Sequence, residues 1–247
     1  MHEQQIAIRT ADGEMETFVA HPSANPDGEG GPFPVVVLYM DAPGIREELR
    51  GFTRRIADQG YYCALPDLYY RRGRVRLDRK MLDEAGRREM FAHMRSLSNA
   101  GVIADTGSLL EALRDQPAAA AGPMGCIGYC MSGQFVMSVA GTYPEFRASV
   151  SCYGVGIVTD QPDTPHRLAP NVQGEMLFAF AETDEYVPDA VIETLRKTLD
   201  EHGVESQVEI YPDTHHGFCF PERDVYVEQA SEDVWSRSFA MFERQLR

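Results

Sequence analysis

The chain has 247 residues, 43% of them hydrophobic and 25% charged, with a formal net charge of −15. That length suits one α/β domain with a single large core, and the acidity argues against nucleic acid or an anionic membrane as partner, because phosphates are repelled at long range. Five cysteines, at positions 63, 126, 130, 152 and 219, are odd in number and lack zinc-ribbon spacing, which together with the absence of a signal-peptide pattern or a membrane-length apolar run leads us to expect a cytoplasmic protein with reduced thiols.

The spacing predicts two short strands, about 4–9 and 15–20, joined at Asp12-Gly13 as a hairpin. Residues 22–34 form a Pro/Gly-rich loop. Val35–Tyr39 is a continuous apolar run, as expected of a strand covered on both faces. A helix follows with Leu49, Phe52 and Ile56 on one face, ending at Gly60, and Tyr61–Leu65 makes the next buried strand. Residues 67–83 are a charged excursion, and a helix over about 84–96 follows. Val102, Leu109, Leu110 and Leu113 then mark a crossover helix.

Residues 125–133 read Gly-Cys-Ile-Gly-Tyr-Cys-Met-Ser-Gly. Met124, Cys126 and Ile127 suit a buried strand, and Phe135, Val136, Val139 and Ala140 recur at helical spacing. A tight strand-to-helix turn at Cys130 leaves little room two residues before and two after it, where Gly128 and Ser132 stand, while Gly133 eases close helix–strand packing. This is the layout of a nucleophile elbow with cysteine at the apex. Read blandly, it is a core cysteine beside a Gly-rich turn.

Beyond the elbow come strand Ala148–Tyr153, a Pro-containing connection, and strand Met176–Ala181. Val191, Leu195 and Leu199 line a helix closed by Gly203, Val208–Tyr211 is the last strand, and Trp235, Phe239, Phe242 and Leu246 form the apolar face of the terminal helix. Strands alternating with helices imply a mostly parallel sheet covered on both faces, whose ligands bind beyond the carboxyl ends of the strands.

A thiol nucleophile needs a base, and the base needs an orienting group. Asp184 lies just past the Met176–Ala181 strand, ahead of Glu182 and Glu185 as candidate acid, with a turn or capping role as its bland alternative. After the last strand comes Pro-Asp-Thr-His215-His216-Gly-Phe218. His216 is the expected base, because Gly217 frees its loop and Phe218 can anchor it; His215 reads as a solvated loop residue. Asp213, His215 and His216 lack a third ligand cluster, so we expect no metal and no organic cofactor.

With these residues in hand, the chain resembles the dienelactone hydrolase family, a cysteine-using branch of the α/β-hydrolases, from about Val35 to the C-terminal helix. The likeness rests on Gly128-Tyr-Cys130, Asp184-Glu-Tyr-Val-Pro188, His216-Gly-Phe218 and Cys63-Ala-Leu-Pro-Asp67-Leu-Tyr-Tyr-Arg71. The resemblance implies an α/β-hydrolase fold in one domain over residues 1–247, with Cys130, His216 and Asp184 as the triad. It implies an acidic residue at Asp41, in the place of the family's usual glutamate, contacting the nucleophile thiol, with an Asx-turn before Pro43 as the alternative. The oxyanion hole would be the Met131 and Ala42 amides. Of two family arginines that hold a substrate carboxylate, Arg71 falls on the first, and Phe220 stands at the second as an apolar wall. Arg71, Arg72, Arg74, Arg76, Arg79 and Lys80 otherwise read as a solvated basic face.

The expected activity is therefore cysteine-dependent hydrolysis of a small carboxylic ester or lactone, with a carboxylate-bearing substrate favoured. Two other classes fit parts of the pattern. One is a non-catalytic scaffold binding a small acid. The other is a redox-sensing thiol protein pairing Cys130 with Cys126, whose spacing across a strand-to-helix turn disfavours a disulfide.

Overall fold

The computed structural model describes residues 1–24, 30–73, 75 and 83–247. Arg74, Arg76, Arg79 and Lys80 of the basic run, and the 25–29 part of the Pro/Gly-rich loop, lie outside the described residues. The chain divides into two compact units, Met1–Gly122 and Pro123–Arg247.

In the first unit, β1 (His2–Thr10) and β2 (Gly13–His21) form the expected hairpin, with Thr10 opposite Gly13 and Ile8 opposite Met15. Gly13 takes φ +138° at the turn, a conformation that side chains resist. Both strands run longer than their apolar alternation suggests, since paired backbone continues past the last buried side chain. β2 pairs antiparallel with β4 (Tyr62–Pro66), and β4 pairs parallel with β3 (Val35–Tyr39), giving the order β1-β2-β4-β3. Every residue of β3 and β4 is buried, as their unbroken apolar runs require.

Helix α1 (Glu47–Asp58) links these two strands and buries Leu49, Phe52 and Ile56 as expected. Glu47 and Glu48 in its first turn and Arg55 in its last suit the helix dipole. α2 (Glu84–Met94) is capped by the Asp83 carboxylate, which accepts from the Gly86 amide at 2.8 Å. α3 (Asn99–Leu113) is capped by Ser98 and buries Val102, Leu109, Leu110 and Leu113. It also buries Asp105 and Thr106, polar residues that the apolar pattern left unassigned.

In the second unit, β5 (Met124–Tyr129), β6 (Phe146–Cys152), β7 (Glu175–Thr183) and β8 (Ser206–His215) pair in parallel in chain order. α4 (Gly133–Ala140) packs on β6, and α6 (Glu228–Leu246) packs across β5, β6 and β7. α6 lies close because residue 125 is glycine: a Cβ there would stand 3.0 Å from Phe242 Cε1 and 3.1 Å from Leu246 Cδ1. α5 (Asp189–Glu201) buries Ile192, Leu195 and Leu199, so its inner face starts at Ile192, with Val191 only half-buried.

Pairing is parallel between β3 and β4 and along β5–β6–β7–β8, antiparallel at the two ladders of β2, and the strands alternate with helices, which is the mostly parallel α/β class expected. One boundary differs in a way that matters. β8 does not stop at Tyr211 before Pro212 but continues to His215, through a register shift opposite Ala181 and Thr183. Asp213 sits in the bulge at φ +55°, and its amide donates to Glu182 Oε2 at 2.9 Å. Among the described residues, no helix is long and apolar enough to cross a membrane.

Candidate active site

Four residues follow directly from the carboxyl ends of the four parallel strands of residues 123–247. Cys130 follows β5, Tyr153 follows β6, Asp184 follows β7 and His216 follows β8. This is the edge where a parallel sheet presents its chemistry.

Cys130 opens a single 3-10 turn, Cys130–Ser132, that leads into α4. Its φ is +55°, a left-handed conformation costing about 1–2 kcal/mol for a residue with a Cβ. The surroundings hold it there. The Val155 amide donates to the Cys130 carbonyl at 3.0 Å, and Gln134 Nε2 donates to the Met131 carbonyl at 3.1 Å. A Cβ on Gly128 would stand 2.9 Å from the Ser132 carbonyl oxygen and 2.8 Å from Val136 Cγ2. Gly133 is tighter still: its Cβ would collide with Gly154 Cα and lie 2.6 Å from Ser151 Oγ. The glycine three past the cysteine therefore does more than ease the packing; it lets α4 meet the backbone that follows β6. Ser132 is fully buried, and Cys130 alone of the five cysteines is not. Cys126 faces inward, its thiol donating to Ser149 Oγ at 3.4 Å.

Asp184 and His216 meet. His216 Nδ1 and Asp184 Oδ2 are 2.7 Å apart, and the Asp184 side chain is only 1% exposed. Asp184 Oδ1 accepts from the Tyr186 amide at 2.9 Å, which fixes the carboxylate plane. Of the rival acids, Glu182 holds the bulge at Asp213, and Glu185 is exposed. The two histidines differ in their surroundings: His215, the last residue of β8, is exposed, while the His216 side chain is 12% exposed.

Burial alone disfavours a charged imidazole, but the hydrogen bond to Asp184, the neighbouring Cys130 thiol and the charges of both outweigh it and push His216 up to about 9. His216 Nε2 is buried, and with Nδ1 held by Asp184 it is the nitrogen left to the neighbouring Cys130 side chain. It can there exchange a proton with a reacting group. Tyr153 packs edge-on against the imidazole at 5.0 Å between ring centroids, and Tyr186 does so at 4.9 Å. Tyr153 is fully buried at φ +37°; Tyr186 is 52% exposed. In the sequence, Tyr186 stands within the Asp184–Pro188 motif with no role for its ring, and Tyr153 reads as a strand residue. No local pattern marks an aromatic residue as the neighbour of a histidine 30 or more positions away.

The remaining expectations concern other surroundings. Phe220 is fully buried, edge-on to Tyr129 at 5.1 Å and under the Arg223 guanidinium at 4.3 Å. It is a core side chain. Met131 follows the apex and is buried. In the first unit, Asp41 is fully buried and paired with Arg46, at 2.5 Å for Oδ1 and 3.3 Å for Oδ2, and Arg46 also binds Glu48 at 2.6 Å. The turn at Asp41 is closed through the backbone, the Gly44 amide donating to the Asp41 carbonyl at 2.9 Å. Ala42 is buried, its carbonyl accepting from the Tyr69 hydroxyl at 2.9 Å.

Arg71 makes a two-pronged pair with Asp105, Nη1 to Oδ2 at 2.7 Å and Nη2 to Oδ1 at 2.8 Å, while its Nε binds Asp12 at 2.7 Å. Two protein carboxylates thus occupy the guanidinium. Asp105 is 2% exposed and needs such a partner, which gives Arg71 a structural reason to be present. Among the described residues, no group of three or more His, Cys, Asp or Glu side chains could hold a metal ion.

Comparison with known proteins agrees with the geometry. The mouse protein named carboxymethylenebutenolidase homolog is 31% identical over 231 residues, spanning 90% of this chain and 86% of its own. A solved Klebsiella pneumoniae chain bearing a dienelactone hydrolase name superposes with a TM-score of 0.86 at 23% identity, covering 98% of each chain. Dienelactone hydrolase from Anabaena variabilis superposes with a TM-score of 0.69 at 18% identity, over 100% of this chain and 99% of its own. The sequence model of the dienelactone hydrolase family matches residues 15–246, from the hairpin to the end of α6, taking in the Cys130 turn, Asp184 and His216. With nearly all of its length accounted for in this way, the chain belongs to the dienelactone hydrolase family.

Proposed function

We infer that this member of the family hydrolyses small carboxylic esters or lactones through a Cys130–His216–Asp184 triad and an acyl-thioester intermediate. The observation that carries the reading is the 2.7 Å pair between His216 Nδ1 and Asp184, with Nε2 left to the neighbouring side chain of a strained Cys130. Support for a lactone or ester comes from the name of the mouse relative. The family match running from residue 15 to residue 246 supports reading 1–247 as one α/β-hydrolase domain.

In this mechanism the Cys130 thiol proton passes to His216 Nε2, and a raised imidazole affinity for the proton favours that transfer. The thiolate adds to the substrate carbonyl, and the Met131 amide, just past the nucleophile, stabilises the oxyanion; the family pattern assigns the second amide to Ala42. The C–O bond breaks as His216 returns the proton to the leaving oxygen, leaving a thioester on Cys130. His216 then takes a proton from water, the hydroxide adds to the thioester, and collapse releases the acid and regenerates the thiol. Asp184 keeps Nδ1 protonated and the ring in place throughout. The resemblance also assigns Asp41 to the thiol and Arg71 to a substrate carboxylate. The ion pairs of both side chains lend those two roles no support.

The test is hydrolysis of a small activated ester by wild type and Cys130→Ala, with mass spectrometry of the quenched reaction. Turnover should vanish in the variant, and an acyl adduct on the Cys130 peptide should be trapped in the wild type. Equal turnover by both proteins would remove Cys130 from the mechanism.

A further inference from the structure

We propose that Tyr186 is a specificity-determining residue that contacts the leaving group of the substrate and favours an aromatic one. The proposal deepens the hydrolase reading above and rests on it.

Among the described residues, only Met1, Phe91, Tyr186 and Ile210 are large hydrophobic side chains standing exposed. One of these four lies directly on the proposed base. The His216 ring meets two tyrosines, Tyr153 and Tyr186, at nearly equal distance, 5.0 and 4.9 Å, and nearly equal tilt, 65° and 69°. Tyr153 is fully buried, whereas Tyr186 is 52% exposed. A purely structural support for His216 would be expected to bury Tyr186 as well, since covering a tyrosine removes about 150–250 Å² of surface from water.

The chemistry says which part of the substrate meets Tyr186. His216 gives its proton to the oxygen that departs, so in the acylation step the leaving group must lie against the imidazole, while the acyl carbon is on Cys130. Of the two rings in contact with His216, only Tyr186 is exposed, and so it is the one open to contact with the leaving group. The position of Tyr186 is well determined: the Asp184 carboxylate accepts its amide at 2.9 Å, and the next residue, Val187, is buried. Its phenol lies close enough to Cys130 and Asp184 that, after burial and the bond to Glu185, their charges also oppose its ionisation. The side chain is thus a neutral aromatic surface, already anchored by its backbone, at the place where an alcohol fragment leaves. Offset-stacked or edge-to-face aromatic contacts add about 0.5–1.5 kcal/mol beyond burial, which corresponds to an aryl preference of about two- to twelve-fold in kcat/KM.

Phenyl acetate and hexafluoroisopropyl acetate test this, because their alcohols have similar acidity but only one is aromatic. Both deliver the same acetyl group to Cys130, so turnover limited by deacylation reads His216 alone. We expect Tyr186→Ala to lower kcat/KM for phenyl acetate by about three- to ten-fold, with less than a two-fold change for the fluoroalkyl ester and unchanged deacylation. Tyr186→Phe should keep the wild-type ratio. A similar loss on both esters, accompanied by slower deacylation, would make Tyr186 a support for His216 and overturn the proposal. No change in either ester would overturn it as well. Failure of the underlying hydrolase reading has a different signature: wild type and Cys130→Ala would then be equally inactive on both esters.

Discussion

Asp184→Asn should separate the electrostatic work of the proposed triad from its shape. The substitution conserves volume and leaves an acceptor oxygen, but removes the charge 2.7 Å from His216 Nδ1. In the folded chain His216 is raised from 6.5 to about 9. At about 1.4 kcal/mol per pH unit this links protonation of His216 to about 3 kcal/mol of folding stability. Because the folded value is the higher one, that stability is fully present below about pH 6.5 and is lost as pH rises through about 9. Asp184 and Cys130 both contribute to the rise, so removing the carboxylate charge should abolish part of it. Urea midpoints of both proteins at pH 6 and pH 9.5 give the measurement. The wild type should lose more stability than the variant over that interval, and the His216 ring protons should titrate at lower pH in the variant by NMR. Ester turnover should fall by about 10²–10⁴-fold, since an asparagine can hold the imidazole in the wrong tautomer. Parallel stability curves for the two proteins, with unchanged titration of His216, would refute the argument that Asp184 sets the proton affinity of the base.

Two further outcomes follow from packing. Gly133→Ala places a methyl group against Gly154 Cα and Ser151 Oγ, and should destabilise the protein by about 1–3 kcal/mol despite the better helix propensity of alanine, as read from thermal or urea unfolding; a neutral or stabilising change would mean that α4 can move away from residue 154 without cost. Arg71→Ala leaves the buried Asp105 carboxylate without its two-pronged partner and should cost about 2–4 kcal/mol, while leaving the ratio of kcat/KM for an acid-bearing ester and its neutral methyl ester unchanged; selective loss on the acid-bearing ester would return Arg71 to substrate recognition.

Much of this protein is legible along the chain because the relevant physics is local. The continuous apolar runs of β3, β4 and β5 specify strands covered on both faces, and the glycine and small residues around Cys130 specify a turn that few other sequences tolerate. The order of cysteine, aspartate and histidine after successive strands is likewise a property of the sequence. Other features depend on groups that meet only after folding. Pro212 marks the end of a strand by local rules, yet β8 runs on to His215, because the Glu182 side chain satisfies the bulge amide of Asp213 from the neighbouring strand. The preference for His216 over His215 can be guessed from Gly217, but the support for it is the contact with the Asp184 carboxylate, 32 residues upstream, which forms only on folding. Arg71 looks like a ligand-binding cation until Asp105, 34 residues along the chain, is seen to claim it. The two tyrosines around His216 have no sequence signature at all, since an edge-on ring contact is set by the packing of separate strand ends and not by any spacing along one segment.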